Sequence, residues 1–239
     1  KVDVHQFRTG SQTRHGRAQD AAQAVKIVLK IAQQTGARLI AKSKTMVGEE
    51  IHINQALEAG GFTVVETDLG EYIVQLRGEP PAHIITPAVH LTRQQVGRTF
   101  EEKLGIPYSE DISNLTAAAR KVLRQTFLEA DIGISGVNFG VAETGTLCLL
   151  TNEGNGRMAT TLPKIHIALM GMERLVPSLA DLALMLELRL MGETAWAMAG
   201  LREEWWVKLR RLAGPPVERV WTVLRVSAGV QMGLALPMV

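Results

Sequence analysis

The chain has 239 residues, 46% hydrophobic and 21% charged, with 26 basic and 24 acidic side chains and a net charge of +2. That composition can build a core and excludes a disordered chain. No Lys/Arg run is long enough to track a nucleic-acid backbone, and no apolar stretch approaches the roughly 20 residues of a membrane helix.

The length suits one large domain, or one domain with an appendage. The single cysteine, Cys148, excludes an internal disulfide and any cysteine-based zinc or iron–sulfur site within this chain. It sits in an apolar run, where a buried, inert thiol is expected. Nothing at the start reads as a signal peptide, so the expected location is cytoplasmic. The missing initiator Met points to a fragment or a processed form.

Lys1–Gly16 is polar and unpatterned and is expected to be a frayed lead-in. From Ala18 to Thr35, apolar residues at three- and four-residue steps predict a helix, ended by Gly36. Arg38–Lys42 is a strand, Ser43–Thr45 a polar turn, and Glu49–Ala59 a second helix closed by Gly60 and Gly61. Phe62–Glu66 is a strand again. This alternation predicts parallel β–α–β units. Tyr72–Leu76 is left unassigned. Ala82–Thr86 reads as a strand, and Thr92 with Gln95 as a capping box opening a helix that Gly105 stops. Leu115–Phe127 is an amphipathic helix. Strands follow at Asp131–Ser135, Thr146–Thr151 and Lys164–Met170, and Ser178 opens a further helix. Beyond about Leu190 all four Trp residues fall together. There Leu201, Trp205, Leu209 and Leu212 could share a helix face, and Val220–Val226 could be a strand.

The Asp131 and Thr146 strands are joined by only about ten residues, too few for a parallel crossover. They are expected to be antiparallel neighbours or part of a small β insert. That, and the absence of G-x-G-x-x-G after a strand, argues against a dinucleotide fold.

Two glycine-bearing loops bracket the Leu147 strand. One holds Glu143, Thr144 and Gly145; the other holds Asn152, Glu153, Gly154, Asn155, Gly156 and Arg157. Glycine permits close backbone approach to a ligand, and such loops carry sites in open α/β sheets; plain turns are the alternative. Arg157 offers a forked contact for a carboxylate or phosphate. Glu143 is the candidate nucleophile or proton acceptor. Extended chain between Glu143 and Glu153 would separate them by over about 20 Å, so they are not a hydrolytic pair. Lys42, Ser43 and Lys44 form a second candidate anion site, unless Glu49 and Glu50 pair with the lysines. His83, His90 and His166 lack metal-ligand spacing and read as hydrogen-bonded structural residues. The two loops and the Lys42 turn are expected to converge on one cavity.

KSKTMVGEEI (Lys42–Ile51), ETDLGEYIVQLRGEPPAHIITPAVH (Glu66–His90), GISGVNFGVAETGTLCLLTNEGNGRM (Gly133–Met158) and TTLPKIHIALMGMERLVPS (Thr160–Ser178) together resemble the LUD-domain family, and within it the iron–sulfur lactate utilisation proteins of bacteria. The resemblance covers about 18–188, taken as the domain. Residues 1–17 and the Trp-bearing tail 189–239 depart from it, through a shifted reading frame or a divergent, truncated copy.

The resemblance implies an α/β fold, a three-layer sheet of the sugar-phosphate isomerase/CoA-transferase-like (NagB/RpiA/CoA transferase-like) type, mixed parallel and antiparallel. It implies a part in oxidising L-lactate to pyruvate alongside sister subunits, with electrons passing through [4Fe-4S] clusters held by a later segment of the full-length family member. This chain alone is expected to hold no cofactor and to be incompetent in electron transfer. Lys42, Ser43, Lys44, Thr144, Gly145, Asn152, Glu153, Gly154, Asn155 and Arg157 would bind a small carboxylate, with Glu143 beside them. Alternatives from other classes are an acyl- or phosphate-substrate transferase or ligase using Glu143, and a non-catalytic scaffold for sister subunits.

Overall fold

A computed structural model of the chain describes residues 2–8, 14–83, 86–150 and 154–187, with side chains from residue 17 onward. The first element is a hairpin of β1 (Val2–Arg8) and β2 (Arg14–Ala18). The expected frayed lead-in is therefore corrected. Strand β1 finds its hydrogen bonds against β8 (Ile165–Gly171), antiparallel over seven residue pairs. Polar sequence hid this because a strand pairs through its backbone, whatever its side chains.

Helix α1 (Ala21–Gln34) is capped by Asp20 and leads to β3 (Leu39–Lys42). The expected single helix after the Lys42 turn is two, α2 (Met46–Glu50) and α3 (Ile53–Ala59). Between them His52 adopts a left-handed conformation, φ 53° and ψ 43°. A non-glycine residue there breaks the helix and re-aims the chain. Strand β4 (Thr63–Glu66) follows. The unassigned stretch is helical, α4 (Leu69–Arg77), started by Asp68, whose carboxylate accepts from the Gly70 and Glu71 amides. The expected strand 82–86 does not form at Ala82 and His83, which lie in a bend; 84 and 85 fall outside the described residues.

Helix α5 (Arg93–Leu104) begins with the Thr92/Gln95 capping box, and α6 (Ile112–Glu129) begins three residues earlier than its apolar periodicity indicated, capped by Asp111. Strand β5 (Ile132–Gly136) precedes two short strands, β6 (Phe139–Val141) and β7 (Thr146–Cys148). Helix α7 (Asn155–Thr161) returns the chain to β8, then β9 (Leu175–Val176) and a helix at 179–187 follow. The helix face and strand expected in the Trp-bearing tail lie outside the described residues.

The main sheet has the order β2-β1-β8-β5-β3-β4, and β8, β5, β3 and β4 are parallel. Ile40, Ile132, Ile134, Ile167 and Leu169 point to one face, under α1 and α3. Ala41 faces the other, packed with Tyr72, Leu123, Phe127 and Ala159 from α4, α6 and α7. The result is a three-layer α/β fold with a mixed sheet. β8 is buried along its whole length, as expected of a parallel strand covered on both faces. The Asp131 and Thr146 strands are not direct neighbours. β6 pairs antiparallel with β7 and parallel with β9 in a separate three-stranded sheet, the small β insert.

Two side chains finish the edges. Asp131 accepts from the backbone amides of Arg38 (2.7 Å) and Leu39 (3.1 Å), tying the start of β3 to that of β5. At the outer strand, Gln75 accepts from the Glu66 amide and donates to the Val64 carbonyl, both at 2.9 Å.

Candidate functional site

From β3 the chain crosses to β4 on one side and later returns to β5 on the other. The crevice outside the carboxyl ends of β3 and β5 is therefore a topological switch point, where open α/β sheets bind ligands. Ser43 lies in it: its amide donates to the Ile134 carbonyl at 2.8 Å. Thr45 also lies there, so close that a Cβ on Gly136 would stand 2.9 Å from its side chain.

Lys42 is fully buried and sits on the α1/α3 side of the sheet. Its ammonium donates to Glu66 at 2.5 Å and to Glu49 at 3.0 Å. The crossover explains the triad: Lys42 and Glu66 are register partners at the ends of β3 and β4. Asn54, carried by α3 after the turn at His52, donates to the same Glu66 oxygen at 2.6 Å. Burial pulls the Lys42 pKa down, but the charges and hydrogen bonds of Glu66 and Glu49 outweigh it, and the net shift is upward. The lysine stays an ammonium with its charge already matched.

Lys44 is different. It is 24% exposed and pairs at 3.1 Å with Glu71, which is buried in the first turn of α4. Burial raises the Glu71 pKa, against the pull of Lys44, while the nearby Glu66 and Glu49 push the same way as burial.

On the opposite face, Ser135 and His166 are buried neighbours on β5 and β8, with Ser135 Oγ 2.7 Å from His166 Nε2. Burial drives the His166 pKa down to about 3, so the ring is neutral at ordinary pH. This is the hydrogen-bonded structural histidine expected from its alternation with Ile165 and Ile167. Cys148 is likewise buried.

The expected convergence of three corners is only partly met. Helix α7 packs on β5, close enough that a Cβ on Gly133 would overlap the Ala159 carbonyl. The end of α7 leads within three residues into the start of β8. It therefore runs back against the strands, and its first turn, with Gly154, Asn155 and Arg157, lies toward the carboxyl edge that carries the Lys42 turn. Glu143, Thr144 and Gly145 belong to a different element. They form the exposed tip of the β6–β7 hairpin, where the Gly145 amide donates to Val141 and the Glu143 amide to Pro177. The base of that hairpin is at Asn138, whose side chain accepts from the Leu150 amide at 2.7 Å. About 10 Å of strand separates base from tip. Asn152 and Glu153 lie outside the described residues.

Sequence reasoning missed Glu66, Asn54 and Glu71. The usable signal was positional: Glu66 ends the strand beside β3, so its side chain shares a face and level with Lys42. A cavity of about 180 Å³ among α4, α5 and α6 is lined by Leu69, Ile73, Val96, Phe100 and Leu115. It is apolar and away from these groups. Among the described residues no three His, Cys, Asp or Glu side chains are grouped to hold a metal ion, and no helix is long and apolar enough to cross a membrane.

A family profile described as LUD domain matches residues 9–199. The "Uncharacterized electron transport protein YkgF" of Escherichia coli (strain K12) is 47% identical over 188 residues, 75% of this chain and 39% of that protein. "Lactate utilization protein B" of Bacillus pumilus (strain SAFR-032) is 54% identical over 153 residues, 64% of this chain and 32% of the relative. The protein of the same name from Macrococcus caseolyticus (strain JCSC5402) is 50% identical over 172 residues, 72% of this chain and 36% of the relative. The chain thus spans well under half the length of these relatives. No solved structure matches.

Proposed function

Because this chain belongs to the LUD-domain family, we propose that it serves in L-lactate utilisation, as the domain that binds a small carboxylate for a longer protein oxidising lactate to pyruvate. The observation that carries the binding role is the switch-point crevice, where the part-exposed Lys44 and the first turn of α7, with Asn155 and Arg157, border the same sheet edge. Lys44 would supply a point charge and Arg157 a planar fork for the carboxylate. Ser43 and the paired Lys42 hold the turn in shape beneath them. The names of the relatives, lactate utilization protein B and an electron transport protein, support the wider role.

Electron transfer through [4Fe-4S] clusters, with sister subunits as partners, belongs to this reading of the longer protein. The residues of this chain do not fit such a cluster, which takes four thiolates. The chain has one cysteine, and that one is buried.

NMR titration of the chain with L-lactate and with pyruvate tests the binding role. Shifts concentrated at Lys44, Gly154, Asn155 and Arg157, weakened at least about tenfold by Arg157→Ala, are expected; an Arg157→Ala protein that binds as well as wild type refutes the pocket. For the wider role, cells lacking the full-length gene should fail to grow on L-lactate and recover when it is restored. Normal growth of the deletion strain refutes the lactate assignment.

A further inference from the structure

Two lysines serve the turn after β3, and they are held differently. Lys42 is fully buried and shared between Glu49 and Glu66. Lys44 is 24% exposed, with its ammonium 3.1 Å from a Glu71 carboxylate oxygen. Of that second pair the carboxylate is the anchored member. Glu71 is buried in the first turn of α4, where Asp68 accepts from the Gly70 amide at 3.0 Å and the Glu71 amide at 3.2 Å. The same turn is packed against the Pro87 ring, 3.0 Å from where a Cβ on Gly70 would stand. Lysine is a point charge on a flexible four-carbon stem, so the helix decides where the Lys44 ammonium rests.

We propose that Glu71 is a specificity-determining residue of this crevice: it holds the Lys44 ammonium in place and offsets its charge, so that the site takes a ligand with one negative charge and turns away a close analogue with two.

A ligand carboxylate that meets Lys44 meets Glu71 as well, because the two charges lie 3.1 Å apart. A single carboxylate gains charge-assisted hydrogen bonds from the ammonium, and these oppose its repulsion from Glu71. A second carboxylate on the same ligand finds no unmatched lysine at this turn, since Lys42 is enclosed with Glu49 and Glu66. It adds repulsion from Glu71 instead. Two unit charges roughly 7 Å apart, at an effective dielectric of about 20, change an affinity by between about tenfold and a hundredfold. Arg157, on the first turn of α7, pulls the other way and favours the doubly charged ligand. Glu71 is what opposes it, so removing the Glu71 charge should release that attraction.

The inference rests on the carboxylate-binding reading above, and a matched ligand pair separates the two. Malonate and its monoamide, malonamate, have nearly the same shape and differ by one charge at pH 8. Titration calorimetry of the 239-residue chain at pH 8 and constant ionic strength should give malonamate at least about tenfold tighter binding than malonate. Glu71→Gln, isosteric and uncharged, should narrow that ratio at least about tenfold, chiefly through tighter malonate binding. A merely structural role for Glu71 would move both affinities together and leave their ratio alone. Equal affinities in the wild type, a comparison that needs no variant, or a Glu71→Gln protein with the wild-type ratio, overturn the role of Glu71 and leave the carboxylate site standing. No binding of malonamate, pyruvate or L-lactate by the wild type overturns both.

Discussion

The stability of the fold should depend on acid in a way set by His166. In the unfolded chain a histidine titrates near 6.5; between β5 and β8 its pKa is held at about 3 by burial. A base whose folded pKa is depressed adds stability that is complete above about pH 6.5. That stability is lost as the pH falls toward about 3, because the unfolded chain gains a proton the folded one refuses. The loss approaches about 1.4 kcal/mol per pH unit within that window and amounts to about 2 kcal/mol between pH 8 and pH 5. Glu71, with its raised pKa, acts in the opposite sense: its contribution is present below about 4.5 and fades as the pH rises through its folded value. A Glu71→Gln background therefore isolates the histidine. Urea unfolding followed by circular dichroism at pH 8, 7, 6 and 5 gives the slope directly. His166→Gln should be less stable at pH 8, having lost a fitted ring, yet show a shallower decline toward pH 5. Parallel decline in the two proteins would refute the reasoning, whatever their absolute stabilities.

Two further substitutions test the core of the site. Lys42→Met should destabilise by about 3–5 kcal/mol, because Glu66 is left charged and buried. Adding Glu66→Gln should recover a large part of that, and unfolding midpoints of the single and double variants measure the coupling. Gly133→Ala should cost about 1–3 kcal/mol or more, because the added Cβ meets the backbone of Ala159 and stands 3.2 Å from Pro163. Gly140→Ala, which meets the flexible end of Met170, should cost clearly less in the same urea titration.

The order of helices and parallel strands was legible because it rests on local signals. The Thr92/Gln95 box and the apolar steps of α1 and α6 are all written within a few residues. What was not legible depended on distant partners. β6 has three residues, Phe139, Gly140 and Val141, and becomes a strand only by meeting β7 and β9. The helix from 49 to 59 was split by His52, whose left-handed backbone nothing nearby in sequence announces. The Lys42 turn was picked out correctly as a polar feature at a strand end. The pairing of Lys42 with Glu49 was one of the readings offered; its second partner was not, because Glu66 lies 24 residues on and reaches Lys42 only through the crossover. Glu143 lies on a glycine-flanked loop with the composition of a site, and the structure puts that loop at the exposed tip of the β6–β7 hairpin.

The pairing of Gln75 with the outer strand has a consequence for assembly. Its amide offers the Val64 carbonyl and the Glu66 amide the acceptor-and-donor pattern of a neighbouring strand, so the middle of that border is already occupied. Another chain cannot zip onto it without first prising α4 away. Among the described residues, that leaves the border at β2 as the one along which the main sheet could be extended.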